Sequence, residues 1–270
     1  MGVPRRPLQL SAAVLSLLLT LLFAPPVGAI SDGTPDGGAH PYVGFVALYA
    51  GTPDDATFIR RCSGFLVSAT VFVTAGHCGR PAADGTPVGF ARVWPDEHVA
   101  GDPWTGVLDT TDGIVGTSFS LYPANDIGVV VLSAPINLAA YAVLPSVGAV
   151  DALANHATLD VVGYGASVRA DVSGSPGGRW AGAADRLQTT SVFIPANNKK
   201  AADLLEHSNG SVGTGGSACF GDSGGPILAA GTSIVLAYNA YVDNLNCAGI
   251  ADGVRLDVAS RLEFVASFLP

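Results

Sequence analysis

Cys219-Phe220-Gly221-Asp222-Ser223-Gly224-Gly225-Pro226 is the stretch on which the reading of this sequence turns. A serine set among glycines sits on backbone that can take conformations a Cβ would disfavour. Alone, Ser-Gly-Gly-Pro reads as a tight turn. Two upstream segments change that reading. Thr74-Ala75-Gly76-His77-Cys78 offers an imidazole, and Asn125-Asp126-Ile127-Gly128, followed by the apolar run Val129–Leu132, offers a carboxylate. Singly, a histidine beside a cysteine reads as structural, and an aspartate before a strand reads as a cap. Together, in the order His, Asp, Ser, they hold the parts of a nucleophilic site. A serine hydroxyl attacks poorly at neutral pH unless a base within hydrogen-bond reach takes its proton. Imidazole suits that task, provided an acceptor fixes its other nitrogen.

The rest of the composition narrows the field. The chain has 270 residues, with Lys+Arg 13 against Asp+Glu 22 and a formal net charge of −9. Its only lysines are Lys199 and Lys200, so no basic face exists for nucleic acid. Charged residues make up 13% and hydrophobic residues 49%, which excludes a disordered chain. Gly 34 and Pro 18 favour many short strands and tight turns. Scarce lysine beside abundant alanine and glycine suits a GC-rich bacterial source. The length allows one large domain or two small ones.

Residues 1–29 have the grammar of a secretory signal peptide. Arg5-Arg6 leads, Leu8–Ala24 is apolar, Pro25-Pro26 breaks the run, and Val27-Gly28-Ala29 offers a cleavage site. The apolar core is shorter than the roughly 20 residues of a membrane span. Pro7 and Gln9 fit a twin-arginine signal poorly. The expectation is a secreted protein with no membrane contact after cleavage and a charge of 11 − 22 = −11. Export permits disulfides. Cys62, Cys78, Cys219 and Cys247 allow three pairings, and spacing does not choose among them. No C-x-x-C pair is present, so no metal is expected.

Strand-length apolar runs recur at Tyr42–Tyr49, Gly64–Val67, Val71–Thr74, Ile127–Leu132, Leu159–Val162 and Ile234–Ala237. A short helical pattern falls at Ala201–His207. A second, through Val258, Leu262, Val265 and Leu269, closes the chain. Ala139–Asn155 reads as a crossing between two β units, and Ser173–Arg179 as a loop. Asn209-Gly210-Ser211 matches a glycosylation acceptor but is discounted.

On the three segments around His77, Asp126 and Ser223, the sequence resembles the chymotrypsin-like (trypsin-like) serine peptidases, from about Ile30 to the end. The resemblance implies an all-β fold of two six-stranded Greek-key barrels packed side by side, with a C-terminal α-helix. Residues 30–145 would form the barrel carrying His77 and Asp126, and 146–270 the barrel carrying Ser223. It assigns Ser223 as nucleophile, His77 as general base and then acid, and Asp126 as orienting carboxylate. Backbone N–H groups of Gly221 and Ser223 would form the oxyanion hole. It implies disulfides Cys62–Cys78 and Cys219–Cys247. It also implies an Ile30 α-amine, freed by the signal cut, paired with Asp222. The chain departs from the family here, having Ser31-Asp32-Gly33 where Val-Gly-Gly is usual.

The resemblance places Ser217 at the base of the primary pocket, Tyr241 as its aromatic floor, Val242 narrowing its mouth and Gly253 on the facing wall. No carboxylate marks the base, so uncharged side chains before the scissile bond are expected. Ala240 lacks the hydroxyl that family members usually direct at the aspartate. The implied protein is a monomeric endopeptidase without cofactor, acting on protein or peptide substrates, with a protein inhibitor as a further candidate partner. Its activity would rise across about pH 6–7, where an ordinary imidazole loses its proton. An impaired binding protein of the same fold and an esterase using the same triad are the alternatives.

Overall fold

The structure is a computed structural model and describes residues 30–170, 179–195, 202–210 and 216–270. Six strands build the first barrel: β1 (Val43–Thr52), β2 (Asp55–Leu66), β3 (Val71–Ala75), β4 (Phe90–Trp94), β5 (Ile114–Tyr122) and β6 (Ile127–Leu132). They close in the order β6-β3-β2-β1-β4-β5. The second barrel contains β7 (Thr158–Gly163), β8 (Leu187–Ile194), β9 (Leu204–Asn209), β10 (Pro226–Ala229), β11 (Val235–Val242) and β12 (Gly249–Arg255). Its order is β8-β7-β10-β11-β12-β9, and β9 returns to β8. This is the expected pair of six-stranded barrels.

The sequence dictates these strands through burial. Val-Phe-Val-Thr-Ala in β3 and Ile-Gly-Val-Val-Val-Leu in β6 are buried almost throughout, and β-branched side chains fill a pleated surface well. Phe45, Phe65, Phe72 and Trp94 are the large buried side chains of the first barrel. Position 64 must be glycine, because a Cβ there would lie 2.3 Å from the Phe72 ring.

One local expectation needs correction. Ala201–His207 does not form a helix: Leu204–Asn209 is strand β9, registered His207 to Ala251 on β12. Its alternation decides this, since Leu205, His207 and Asn209 face inward while Leu204, Glu206 and Ser208 are only partly buried. The loop expected at Ser173–Arg179 lies, as far as Gly178, outside the described residues. The terminal helix α1 (Ala259–Ala266) forms as expected.

The chain ends do not respect a division at residue 145. Thr34–Pro35 pairs with β8 of the second barrel. Helix α1 turns back onto the first: Phe264 meets Tyr122 at 5.6 Å, and Arg261 Nε donates to the Asn125 carbonyl at 2.9 Å. The C-terminal segment therefore holds the turn that leads into Asp126.

Candidate active site

The site grows from strand ends. β3 finishes at Ala75, and a turn, Gly76–Gly79, carries His77. β6 runs antiparallel beside β3 with Ile127 opposite Ala75, so the residue before β6 meets the residues after β3. That residue is Asp126, held in a left-handed conformation (φ 50°). Gly76 N–H donates to the Asp126 carbonyl at 2.7 Å and His77 N–H to Asp126 Oδ1 at 2.7 Å. His77 Nδ1 lies 3.0 Å from Oδ2. An ionised carboxylate only accepts, so Nδ1 carries the proton and Nε2 is left with its lone pair. Tyr238 Oη donates to the Asp126 carbonyl at 3.0 Å, and Tyr241 Oη to Oδ2 at 3.3 Å.

Ser223 comes from the second barrel, on the turn before β10. Its carbonyl accepts from Ser63 N–H of β2 at 2.9 Å, and the next residue, Gly224, donates to the Asn239 carbonyl at 2.8 Å. A Cβ on Gly224 would fall 2.3 Å from Thr74 Oγ1, so glycine lets the serine turn lie against β3. Asp222 N–H donates to the Cys219 carbonyl and Gly225 N–H to that of Asp222. The N–H groups of Gly221 and Ser223 donate to no acceptor among the described residues. Gly221 has φ +99°, a conformation open to glycine. Disulfides join Cys62 to Cys78, beside His77, and Cys219 to Cys247, beside the serine turn.

Beneath the turn lies Asp222, fully buried, accepting from Gly165 N–H at 2.7 Å and Cys219 N–H at 2.8 Å. Desolvation pushes its carboxyl up to about 7, against the opposing pull of those two bonds and of Arg61. Arg61 is itself buried, its guanidinium stacked 3.7 Å over the Trp104 ring and donating to the Tyr164 carbonyl. Burial lowers its pKa to about 10.

The Ile30–Asp222 ion pair is an expectation for the chain cut after Ala29, and this chain is uncut. Ile30 is in the interior and Ser31 bridges to Ser217 (N–H to carbonyl, 3.1 and 2.8 Å). However, its nitrogen is a peptide nitrogen here, joined to Ala29 and carrying no charge, and the carboxylate's bonds go to Gly165 and Cys219 instead.

A cavity of about 220 Å³ opens in front of Ser223, lined by Ala218, Cys219, Phe220, Asn239, Ala240, Tyr241 and Val242. Ser217 and Gly253, expected in this pocket, do not line it. The Ser217 backbone is tied to Ser31 and its hydroxyl donates to the Gly210 carbonyl. Gly253 faces the barrel interior, where Ile227 and Ala237 crowd it. Tyr241 is a wall beside His77 and not a floor. On the other side of Phe220, a second cavity of about 250 Å³ is lined by Phe58, Pro103, Trp104 and Gly221, among others. Asn209 is buried and donates to the Ala218 and Cys247 carbonyls, which removes it as a glycan acceptor. Among the described residues no group of three or more His, Cys, Asp or Glu could hold a metal ion.

Sequence reasoning did not identify Ser63, Tyr238 or Arg61. Ser63 Oγ donates to the Gly221 carbonyl and accepts from Tyr164 N–H, fixing the loop that presents the oxyanion donors. These residues come from distant strands, and no local signal marks them.

The family model Trypsin matches residues 32–262, and the chain belongs to that family of serine peptidases. No curated protein matches the sequence. Among solved structures, HL collagenase superposes with TM-score 0.61 at 14% identity, covering 90% of this chain and 97% of that one. Human heparin binding protein gives TM-score 0.60 at 17% identity, covering 89% and 98%. At such identities these two likenesses speak for the fold alone.

Proposed function

We propose that this protein is a secreted serine endopeptidase that cleaves peptide bonds through Ser223, His77 and Asp126. The observations that support this best are an imidazole gripped by a carboxylate through ring and main chain, and a serine turn tied to β2 whose Gly221 and Ser223 N–H groups meet no acceptor among the described residues. Ser223 Oγ attacks the scissile carbonyl carbon while His77 Nε2 takes its proton. The Gly221 and Ser223 N–H groups then receive the oxyanion. The imidazolium returns the proton to the leaving amine, and water, activated by the same base, releases the acyl group. Ser223 Oγ bonds to no described residue in the resting chain, and such bonds tighten when substrate is seated.

The cavity wall holds no charge, so an uncharged side chain before the scissile bond is preferred, and Val242 restricts it to small or medium size. The residue after the bond would approach the cavity beyond Phe220. Signal cleavage after Ala29 would free the Ile30 amine and give Asp222 the cation it lacks, so export itself would complete the site. The test is labelling with a fluorophosphonate, followed by profiling on a peptide library. Labelling abolished by Ser223→Ala, with cleavage after uncharged residues, is the expected result. An unlabelled protein beginning at Ile30 would leave a binding protein of the same fold.

A further inference from the structure

Position 240 has no hydroxyl to offer the orienting carboxylate, yet Asp126 does not lack a donor. A bulge in β11 between Asn239 and Tyr241 breaks the register with β12. It lets the Tyr241 phenol reach Asp126 Oδ2 at 3.3 Å, the same oxygen that accepts from His77 Nδ1 at 3.0 Å. The tyrosine ring lies beside the imidazole, with centroids 6.1 Å apart and planes at 31°. The same ring lines the cavity in front of Ser223 and is 46% exposed. One side chain therefore touches the carboxylate, the base and the space that substrate would fill.

We propose that Tyr241 is a positioning residue that holds the Asp126 carboxylate for His77 and links that hold to substrate seating. This rests on the peptidase reading. An exposed phenol–carboxylate bond competes with water. A substrate lying on the ring excludes that water and strengthens the bond. The donated proton also takes up part of the charge on Oδ2. Without it, the carboxylate holds the imidazolium more firmly, and the base is freed only at higher pH. Tyr238 secures the Asp126 carbonyl independently, so loss of the Tyr241 hydroxyl alters the carboxylate's environment without releasing the residue. The other charged or titratable groups near the pair are Arg60, which donates to the His77 carbonyl, Arg80, and Asp203 paired with Arg261. Substituting 241 by phenylalanine or leucine leaves these charges in place.

Steady-state kinetics on a peptide amide, as a function of pH, test this with Tyr241→Phe and Tyr241→Leu. The phenylalanine variant keeps the wall and loses the hydroxyl. It should raise KM only slightly, lose about three- to tenfold in kcat, and show the acid limb of kcat/KM about half a pH unit higher. The leucine variant should show the same displaced limb with a raised KM. A phenylalanine variant whose acid limb stays in place or falls overturns the proposal, as does an effect confined to KM. A wild-type protein that a fluorophosphonate does not label overturns the peptidase reading and this inference with it.

Discussion

The burial of the Asp222 carboxylate makes a quantitative demand on stability. In the chain that continues before Ile30 its carboxyl is pushed up to about 7 from an unfolded value of 3.8. A raised acid is a folded state that binds protons more tightly than the unfolded one. Its stabilising contribution is complete below about pH 4 and is lost as pH rises through about 7. Integrated between pH 5 and 7.5, those two values amount to a loss on the order of 2–3 kcal/mol. In a protein beginning at Ile30, as proposed above, an α-ammonium would replace that peptide nitrogen and pair with Asp222. A cation next to the carboxylate lowers its pKa, and the loss should shrink below about 1 kcal/mol. Urea unfolding at both pH values, followed by tryptophan fluorescence, measures this for the Ile30 form and for a form retaining Gly28-Ala29. The side chains shared by both forms cancel in the difference, which leaves Asp222 and the N-terminal amine it would pair with. Equal pH dependence in the two forms, or a steeper loss in the Ile30 form, would refute the argument that a freed amine serves Asp222.

Further outcomes follow from single contacts. His207 is fully buried with Asn239 beside its ring, and burial lowers its pKa to about 4. A depressed base stabilises the fold above about pH 6.5 and loses that contribution as pH falls through 4. His207→Leu should therefore unfold at lower pH than the wild type in acid titrations followed by circular dichroism. Gly165→Ala would set a Cβ 2.2 Å from Asp222 Oδ2. It should cost about 2 kcal/mol or more in urea unfolding and also reduce fluorophosphonate labelling, whereas overpacking alone would leave labelling intact. Val242→Gly should widen the cavity before Ser223 and move library cleavage toward aromatic residues; an unchanged profile would show that Val242 does not set the size limit.

How much of this could be read from the chain depends on whether the information is local. The strands were legible where burial is continuous, as in Val71–Ala75 and Ile127–Leu132, because runs of β-branched residues have few other ways to pack. The terminal helix was legible from its three- and four-residue spacing. Leu204–Asn209 was misread because six residues hold too little periodicity to separate alternation from a helical face, and pairing with β12 decided it. Ser217 and Gly253 were misplaced for a related reason. The bulge at Asn239–Tyr241 and the bridge from Ser31 to Ser217 set which side chains reach the cavity, and neither leaves a mark in composition or spacing.

By itself, then, the sequence determined the class of architecture and the three residue types that chemistry of this kind requires, since apolar periodicity and the glycine-framed serine are properties of short segments. Only the tertiary structure decided which groups support them: Tyr241 on Asp126, Ser63 under Gly221, and Arg61 and two backbone amides around the buried Asp222 carboxylate. Hydrogen bonds and desolvation act over a few ångströms in space, across more than a hundred residues of chain, and local sequence does not encode that separation.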